Sequence, residues 1–300
     1  MPLLLLSKPT PHTVAVLQAL LVTFLWSTSW VLIKVGLADV PALPFAGLRY
    51  SLAFFCLLPL ALRSNQRAAL RLLTRRQWAL LLLLGVIYCA VVQGAQYLGL
   101  AYLPAATVSL LLSFTSIVVA LMGMFWLAER PGGLGWLGVG LSVIGGVVYF
   151  YPPLFPASQV LALAVVGVGV IANAASSVLG RYVNHHENIP PLLVTTVSMG
   201  VGGFILLAAG ILLQGIPALS LKSWLIIAWL AFVNTALAFN LWNHTLRVLP
   251  AVESSIINNT MLIQIALLAW LVLGEDLTTQ QWLGMLLAGL GVFIMQWARR

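Results

Sequence analysis

Apolar residues in this chain do not alternate with polar ones. They run together in blocks, near residues 14–36, 44–62, 78–100, 104–128, 134–151, 158–182, 191–213, 222–246, 250–273 and 279–298. A helix crosses the hydrocarbon core of a bilayer with about 20 apolar residues, so the pattern predicts ten spanning helices and short loops. The breaks carry proline: Pro41 and Pro44 before the second block, Pro104 before the fourth, Pro131-Gly132-Gly133 before the fifth. Pro152, Pro153 and Pro156 mark the midpoint, Pro190-Pro191 opens the seventh block and Pro250 the ninth. Proline lacks an N–H and breaks a helix interior, but it suits a first turn.

Composition turns this pattern into a class. Hydrophobic residues make up 62% of the 300, charged residues 7%, and the mean hydropathy is +1.06. A soluble domain carries about 25% charged residues, so this surface must face lipid, and the expected fold class is an all-α polytopic membrane protein. The net charge of +8 comes from 14 Lys plus Arg against 6 Asp plus Glu. Those cations form no aromatic-interleaved patch, which speaks against nucleic acid. They follow loop parity instead: Lys8, Arg63, Arg67, Arg71, Arg75, Arg76, Arg130, Arg181, Arg247, Arg299 and Arg300 all fall on one side. Positive loops stay cytoplasmic, so both termini are expected inside, with the Arg63–Arg76 loop resting on anionic headgroups. Cys56 and Cys89 lie within apolar blocks, which excludes a disulfide framework. The Leu3–Leu6 run is too short for a signal-peptide core, so insertion is expected to rely on the first span.

The chain also repeats. At an offset of 146, Leu103-Pro104-Ala105 recurs as Leu249-Pro250-Ala251, Ser109 as Ser255, Glu129 as Glu275, Trp136-Leu137-Gly138 as Trp282-Leu283-Gly284, Gly145 as Gly291 and Trp78 as Trp224. At 147, Pro44 pairs with Pro191, Ser29 with Ser176 and Lys34 with Arg181. The expected domains are residues 1–151 and 158–300, joined by a linker at 152–157. Each holds five spans, an odd number, so the second must enter the membrane upside down. Inverted repeats with a substrate site between them, near the midplane, characterise secondary transporters.

Leu127-Ala128-Glu129-Arg130-Pro131 with Gly135-Trp136-Leu137-Gly138 and Gly145-Gly146 resembles the end of an EamA domain. So does Leu273-Gly274-Glu275-Asp276-Leu277 with Gln281-Trp282-Leu283-Gly284 and Gly289 to Gly291. Two such units in tandem are similar to the drug/metabolite transporter superfamily over nearly the whole chain. That resemblance implies ten helices and export of amino acids or related metabolites across a bacterial inner membrane, with the aromatic and neutral amino acid exporters nearest in character.

Positions that are polar or aromatic at mid-span in both repeats define the expected cavity. Trp26 maps to Asn173 and Trp30 to Ser177, Tyr88 to Asn234, and Ser113 to Asn259, which lies beside Asn258. Polar groups at bilayer depth need protein or water partners, whether those line a cavity or bond neighbouring helices. Trp78, Trp136, Trp224, Trp282 and Trp297 sit at span ends, as an interfacial belt would. Among the charges, Lys34 either serves the site or snorkels to the headgroups. Arg49 either binds a substrate carboxylate or pairs with Asp39, the second being favoured. Glu253 is placed to bond a helix N-terminus, and the recurrence of Glu129 and Glu275 indicates a shared structural role.

No Asp or Glu falls at a span centre, so His244, Glu253 and Tyr88 are the remaining candidates for coupling to protons. His185-His186-Glu187 is too thin a set for a metal, and no cofactor is expected. Four His and six acids never meet at catalytic spacing, which disfavours an enzyme, and no filter sequence marks a channel. A nucleotide-sugar or organophosphate carrier would want several midplane cations, so a zwitterion fits better. The expected partners are a small-molecule substrate and the lipid bilayer, and a monomer is compatible with this pattern.

Overall fold

In a computed structural model, residues 11–127, 132–152, 156–245, 248–249 and 251–298 are described. Expectations placed on Lys8, Glu129, Arg130, Pro131, Pro153, Arg247, Pro250, Arg299 and Arg300, and on the side chains of His185, His186 and Ser255, lie outside them. The described residues form helices and no strands. Helix α1 spans Pro11–Gly36, α2 Ala42–Ala61, α3 Ser64–Arg71, α4 Arg75–Leu84, α5 Gln93–Tyr102, α6 Ala105–Ser113 and α7 Thr115–Leu127. Then come α8 Gly133–Phe150, α9 Ala157–His186, α10 Pro191–Gln214, α11 Leu221–Ala231, α12 Ala238–Thr245, α13 Ala251–Leu268 and α14 Thr279–Trp297. Their starts have local causes. Thr74 caps α4 in a reciprocal box with Gln77, Thr278 does the same for α14 with Gln281, and the Ser220 hydroxyl accepts from the Ser223 N–H at α11.

Eight helical stretches are long and apolar enough to cross a membrane: Pro11–Gly36, Ala42–Ala61, Arg75–Tyr102, Ala105–Met122, Gly133–Phe150, Gln159–Val183, Pro191–Gln214 and Ile256–Leu273. Leu221–Leu237 is apolar but shorter. Helix α14 carries Gln280, Gln281 and Gln296 near its ends, which lowers its apolarity. The chain is therefore a multi-pass helical membrane protein. The short α3 buries no residue and holds Arg67 and Arg71, the pattern of a helix lying in the headgroup layer.

Three stretches widen into π-helix, each adding a residue to the turn. Gly85–Val92 joins α4 to α5, Phe232–Leu237 joins α11 to α12, and Ala269–Leu273 ends α13. The first two hold Tyr88 and Asn234, which are 146 positions apart.

Lipid tails are as apolar as leucine, so spanning helices gain little by burying apolar surface and associate through close packing. Glycine permits this. A Cβ placed on Gly145 would lie 2.4 Å from the Ala288 nitrogen and 2.6 Å from the Gly284 oxygen, while one on Gly284 would lie 2.6 Å from the Gly145 oxygen. Gly138 and Gly291 meet in the same way, at 2.6 Å and 2.5 Å from each other's carbonyl oxygens. These contacts make α8 and α14 antiparallel with their backbones touching, and between them Ser142 donates to the Ala288 carbonyl at 3.2 Å. Helices α2 and α10 pair likewise: a Cβ on Gly47 would meet the Leu207 nitrogen at 2.4 Å, one on Gly203 the Ser51 nitrogen at 2.7 Å, and one on Gly210 the Pro44 nitrogen at 2.4 Å.

Replacing Gly145 by Leu should lower stability by at least about 1–3 kcal/mol, the usual cost of overpacking. Gly140 has nothing within 4 Å of a Cβ, so Gly140→Leu should leave stability unchanged. Thermal unfolding of both variants in detergent checks the contrast.

Candidate functional site

The π segment in the second half of the chain organises a polar cluster against α1. Asn234 is wholly buried; its side-chain amide donates to the Leu25 carbonyl and, at 3.2 Å, to the Thr28 hydroxyl. Its own carbonyl accepts from the Trp26 indole N–H at 3.1 Å. The Trp26 ring packs against Phe239 and Trp242, each with centroids at 5.3 Å. Two expected residues, Trp26 and Asn234, thus meet directly. The Asn234 side-chain oxygen is buried without a partner.

The other expected residues are held by separate bonds. Asn173 donates to the Thr115 hydroxyl at 3.2 Å, Ser177 is exposed and donates to the Asn173 carbonyl at 2.8 Å, and Ser113 donates to the Leu110 carbonyl at 2.6 Å. Asn259 donates to the Gln296 side chain at 2.7 Å, and Asn258 is exposed. Trp30 is buried in the central apolar cluster with Phe45, Tyr50 and Tyr97, and Tyr88 packs against it. Two clefts, of about 430 and 280 Å³, are lined by apolar side chains and touch none of these residues. They include the outward-facing Val143 and Val147 in one, Val91 and Val168 in the other.

The charged residues correct several expectations. Asp39 pairs with Lys222 at 3.2 Å, not with Arg49. Arg49 is only 5% exposed. Its Nε donates to the Thr235 hydroxyl at 3.0 Å and its Nη1 to the Tyr97 hydroxyl at 3.3 Å, with the guanidinium 5.3 Å from the Tyr50 ring centroid. Burial deep in α2 puts it out of reach of the exposed Asp39 loop. Lys34 turns inward instead of snorkelling; its ammonium donates to the Leu100 and Leu103 carbonyls at 2.8 and 2.5 Å, closing the end of α5. Glu253 pairs with His12 at 2.8 Å. His244 lies exposed in the last turn of α12.

Glu275 has the structural role foreseen for it. Gly274 takes a left-handed φ of 65° where the π segment after α13 ends, a conformation that suits glycine. The turn carries Glu275 to the N-terminus of α6, where its two oxygens accept from the Ala105 and Ala106 N–H groups at 2.8 and 3.4 Å. Anions favour that helix end, so the Leu103-Pro104 turn is held by Lys34 on one side and Glu275 on the other. A third ion pair joins Arg76 to Glu187 at 3.4 Å, with Tyr182 bonded to the same guanidinium. Arg76 and Lys222 stand 146 positions apart, and Asp39 and Glu187 stand 148 apart.

Sequence reasoning missed Thr235, Tyr97 and Gln264. The last bridges α1 and α13, accepting from Ser27 at 2.9 Å and donating to Thr260 at 2.9 Å. Thr235 and Gln264 match Cys89 and Val118, and Tyr97, which matches Asn243, lies toward the end of its span, so a search for shared mid-span polarity passed over all three. Gln264 carried a signal of its own, a lone polar residue within the apolar run Met261 to Leu268.

Helices of this length, joined by turns around a buried polar interior, define a polytopic helical membrane protein. The sequence model of the EamA-like transporter family matches residues 13–151 and 160–297, and the chain belongs to that family. It is 26% identical over 298 residues to a protein of Escherichia coli (strain K12) named "Probable amino-acid metabolite efflux pump", covering 92% of each chain. A Salmonella typhimurium protein of the same name is 26% identical over 306 residues, again over 92% of each. A protein of known crystal structure matches 98% of this chain and all of its own, with a TM-score of 0.67 and 17% identity, a likeness of fold.

The Glu275 cap and the Asp39–Lys222 pair should differ in weight. Glu275→Ala leaves two helix N–H groups short of a partner and should cost about 1–3 kcal/mol, with Glu275→Gln losing less. Lys222→Ala removes an exposed, screened pair and should cost about 0–1 kcal/mol. Unfolding midpoints in micelles check both.

Proposed function

We propose that this chain is a secondary transporter that exports small zwitterionic metabolites, amino acids first among them, by alternating access. In this reading ten spans form two inverted five-helix repeats, residues 1–151 and 158–300, in a bacterial cytoplasmic membrane with both termini inside. What carries the reading is the reciprocity of the α8–α14 contact. Gly138 meets Gly291 and Gly145 meets Gly284, while Gly138 and Gly284, and likewise Gly145 and Gly291, are repeat mates. Such an exchange of partners is the mark of a twofold contact. Between antiparallel helices the axis lies across them, in the plane of the membrane. The Ser142–Ala288 bond, between residues 146 apart, sits on that axis.

The ion pairs fit the same symmetry. Arg76–Glu187 and Lys222–Asp39 occupy matching positions, so an in-plane axis puts one at each membrane face. Each ties a span of one repeat to a span of the other, and alternating access requires each to part in turn. The substrate route then passes Trp26, Trp30, Tyr88, Asn173, Asn234 and Asn259. The efflux-pump name of the two enterobacterial relatives supports amino acids as cargo.

Proteoliposomes holding the purified protein should exchange radiolabelled neutral or aromatic amino acids in a saturable way, faster with substrate on the far side. Asn234→Ala and Trp26→Ala should reduce exchange by about tenfold or more, since the first strips the Leu25 carbonyl and the Thr28 hydroxyl of a buried donor and the second strips the Asn234 backbone carbonyl of its indole donor. Trp224→Ala, at an exposed helix end, should not. No exchange of any amino acid, or equal losses in all three variants, overturns the reading.

A further inference from the structure

Arg49 is the one cation among the described residues that is buried without a carboxylate. The described acids are spoken for: Asp39 by Lys222, Glu187 by Arg76, Glu253 by His12 and Glu275 by the start of α6, while Asp276 is exposed. A guanidinium inside a spanning helix is expensive, and such groups persist where they have a task. Helix packing does not explain this one. The matching position in the other repeat is Thr196, whose hydroxyl simply donates to the Leu192 carbonyl at 2.7 Å. The equivalent place in α10 therefore carries no charge.

The bonds to Thr235 and Tyr97 use two of the five N–H groups of the guanidinium. Both partners are neutral, and each fixes the plane of the fork. Thr235 is itself held by donating to the Leu230 carbonyl at 2.8 Å, across the π segment. The surroundings are aromatic: Tyr50 lies under the guanidinium, Phe45 meets Tyr97 edge-on at 5.2 Å, and Trp30 belongs to the same cluster. A planar fork with free donors, oriented by neutral groups and walled by rings, matches a carboxylate on an apolar body.

The geometry points to Arg49 as the anchor for the carboxylate of the transported substrate, with Tyr97 and Thr235 as positioning residues and the Trp30–Phe45–Tyr50 wall receiving its side chain. This rests on the transporter reading and narrows it to organic monocarboxylates. The path to Arg49 opens when span Arg75–Tyr102 or the Phe232–Leu237 segment moves off α2, to which both are packed.

The test is ligand-induced thermal stabilisation of the full chain in detergent. The probes are L-phenylalanine, L-leucine and L-methionine, each beside its amide and its decarboxylated amine, together with phenylpyruvate. At least one carboxylate should raise the midpoint of the wild type while its amide and amine do not. Arg49→Gln should weaken that binding by about tenfold or more, and Arg49→Lys by less. Should Arg49→Gln fail to fold, the comparison of acid with amide in the wild type still decides. Equal stabilisation by acid and amide, survival of the shift in Arg49→Gln, or no shift with any carboxylate overturns the assignment. Amino acid exchange in liposomes together with equal binding of acids and amides removes the anchor and leaves the exporter standing. No exchange together with an Arg49-dependent carboxylate shift does the reverse.

Discussion

Hydrocarbon offers no hydrogen bond, and the arrangement of this protein follows from that. A polar group within a span is costly unless another part of the chain answers it. Asn234 is answered by Leu25 and Thr28, Arg49 by Thr235 and Tyr97, Lys34 by two carbonyls at the end of α5. These bonds run between helices far apart in sequence, so polar groups that burden any single helix fix the neighbours of the whole bundle. The same solvent removes the hydrophobic drive for helix association, leaving close backbone approach at Gly138, Gly145, Gly284 and Gly291 to hold α8 to α14.

Much of this was legible in the residues. Apolar block length gave the helices, and the spacing of Trp-Leu-Gly with Gly145 and Gly291 located α8 and α14 as repeat mates before any contact was known. The recurring glutamate pointed to a structural task, which Glu275 performs at the start of α6. The partners of Arg49, Lys34 and Glu253 were not legible. A side chain's partner depends on which helices meet, and a pattern of apolar runs is silent on that. Asp39 looked like the natural mate of Arg49 because it is close in sequence, yet one lies in an exposed loop and the other deep in α2. The π segments were equally hidden: their sequences, such as Phe232 to Leu237, read as ordinary apolar helix.

The expected site residues show the strength and the weakness of looking for shared polarity. Trp26 and Asn234 were each chosen against a different mate, and the structure joins them to one another, across from one half of the chain to the other. Asn173 also reaches across, to Thr115, whereas Asn259 bonds Gln296 within its own half. Symmetry of sequence finds equivalent places, whereas contact crosses between them, and only the second makes a site.

A widened turn is a stored rotation. Removing the extra residue from Phe232–Leu237, so that it wound as ordinary α-helix, would swing everything beyond it by about 100° around the axis, the angle one residue occupies. Phe239 and Trp242, which flank the Trp26 ring, sit just past that segment. A slight unwinding or tightening of one turn would thus revolve one side of an aromatic box while its other side stayed still. Such a swivel needs no displacement of the glycine-locked pairs that frame it.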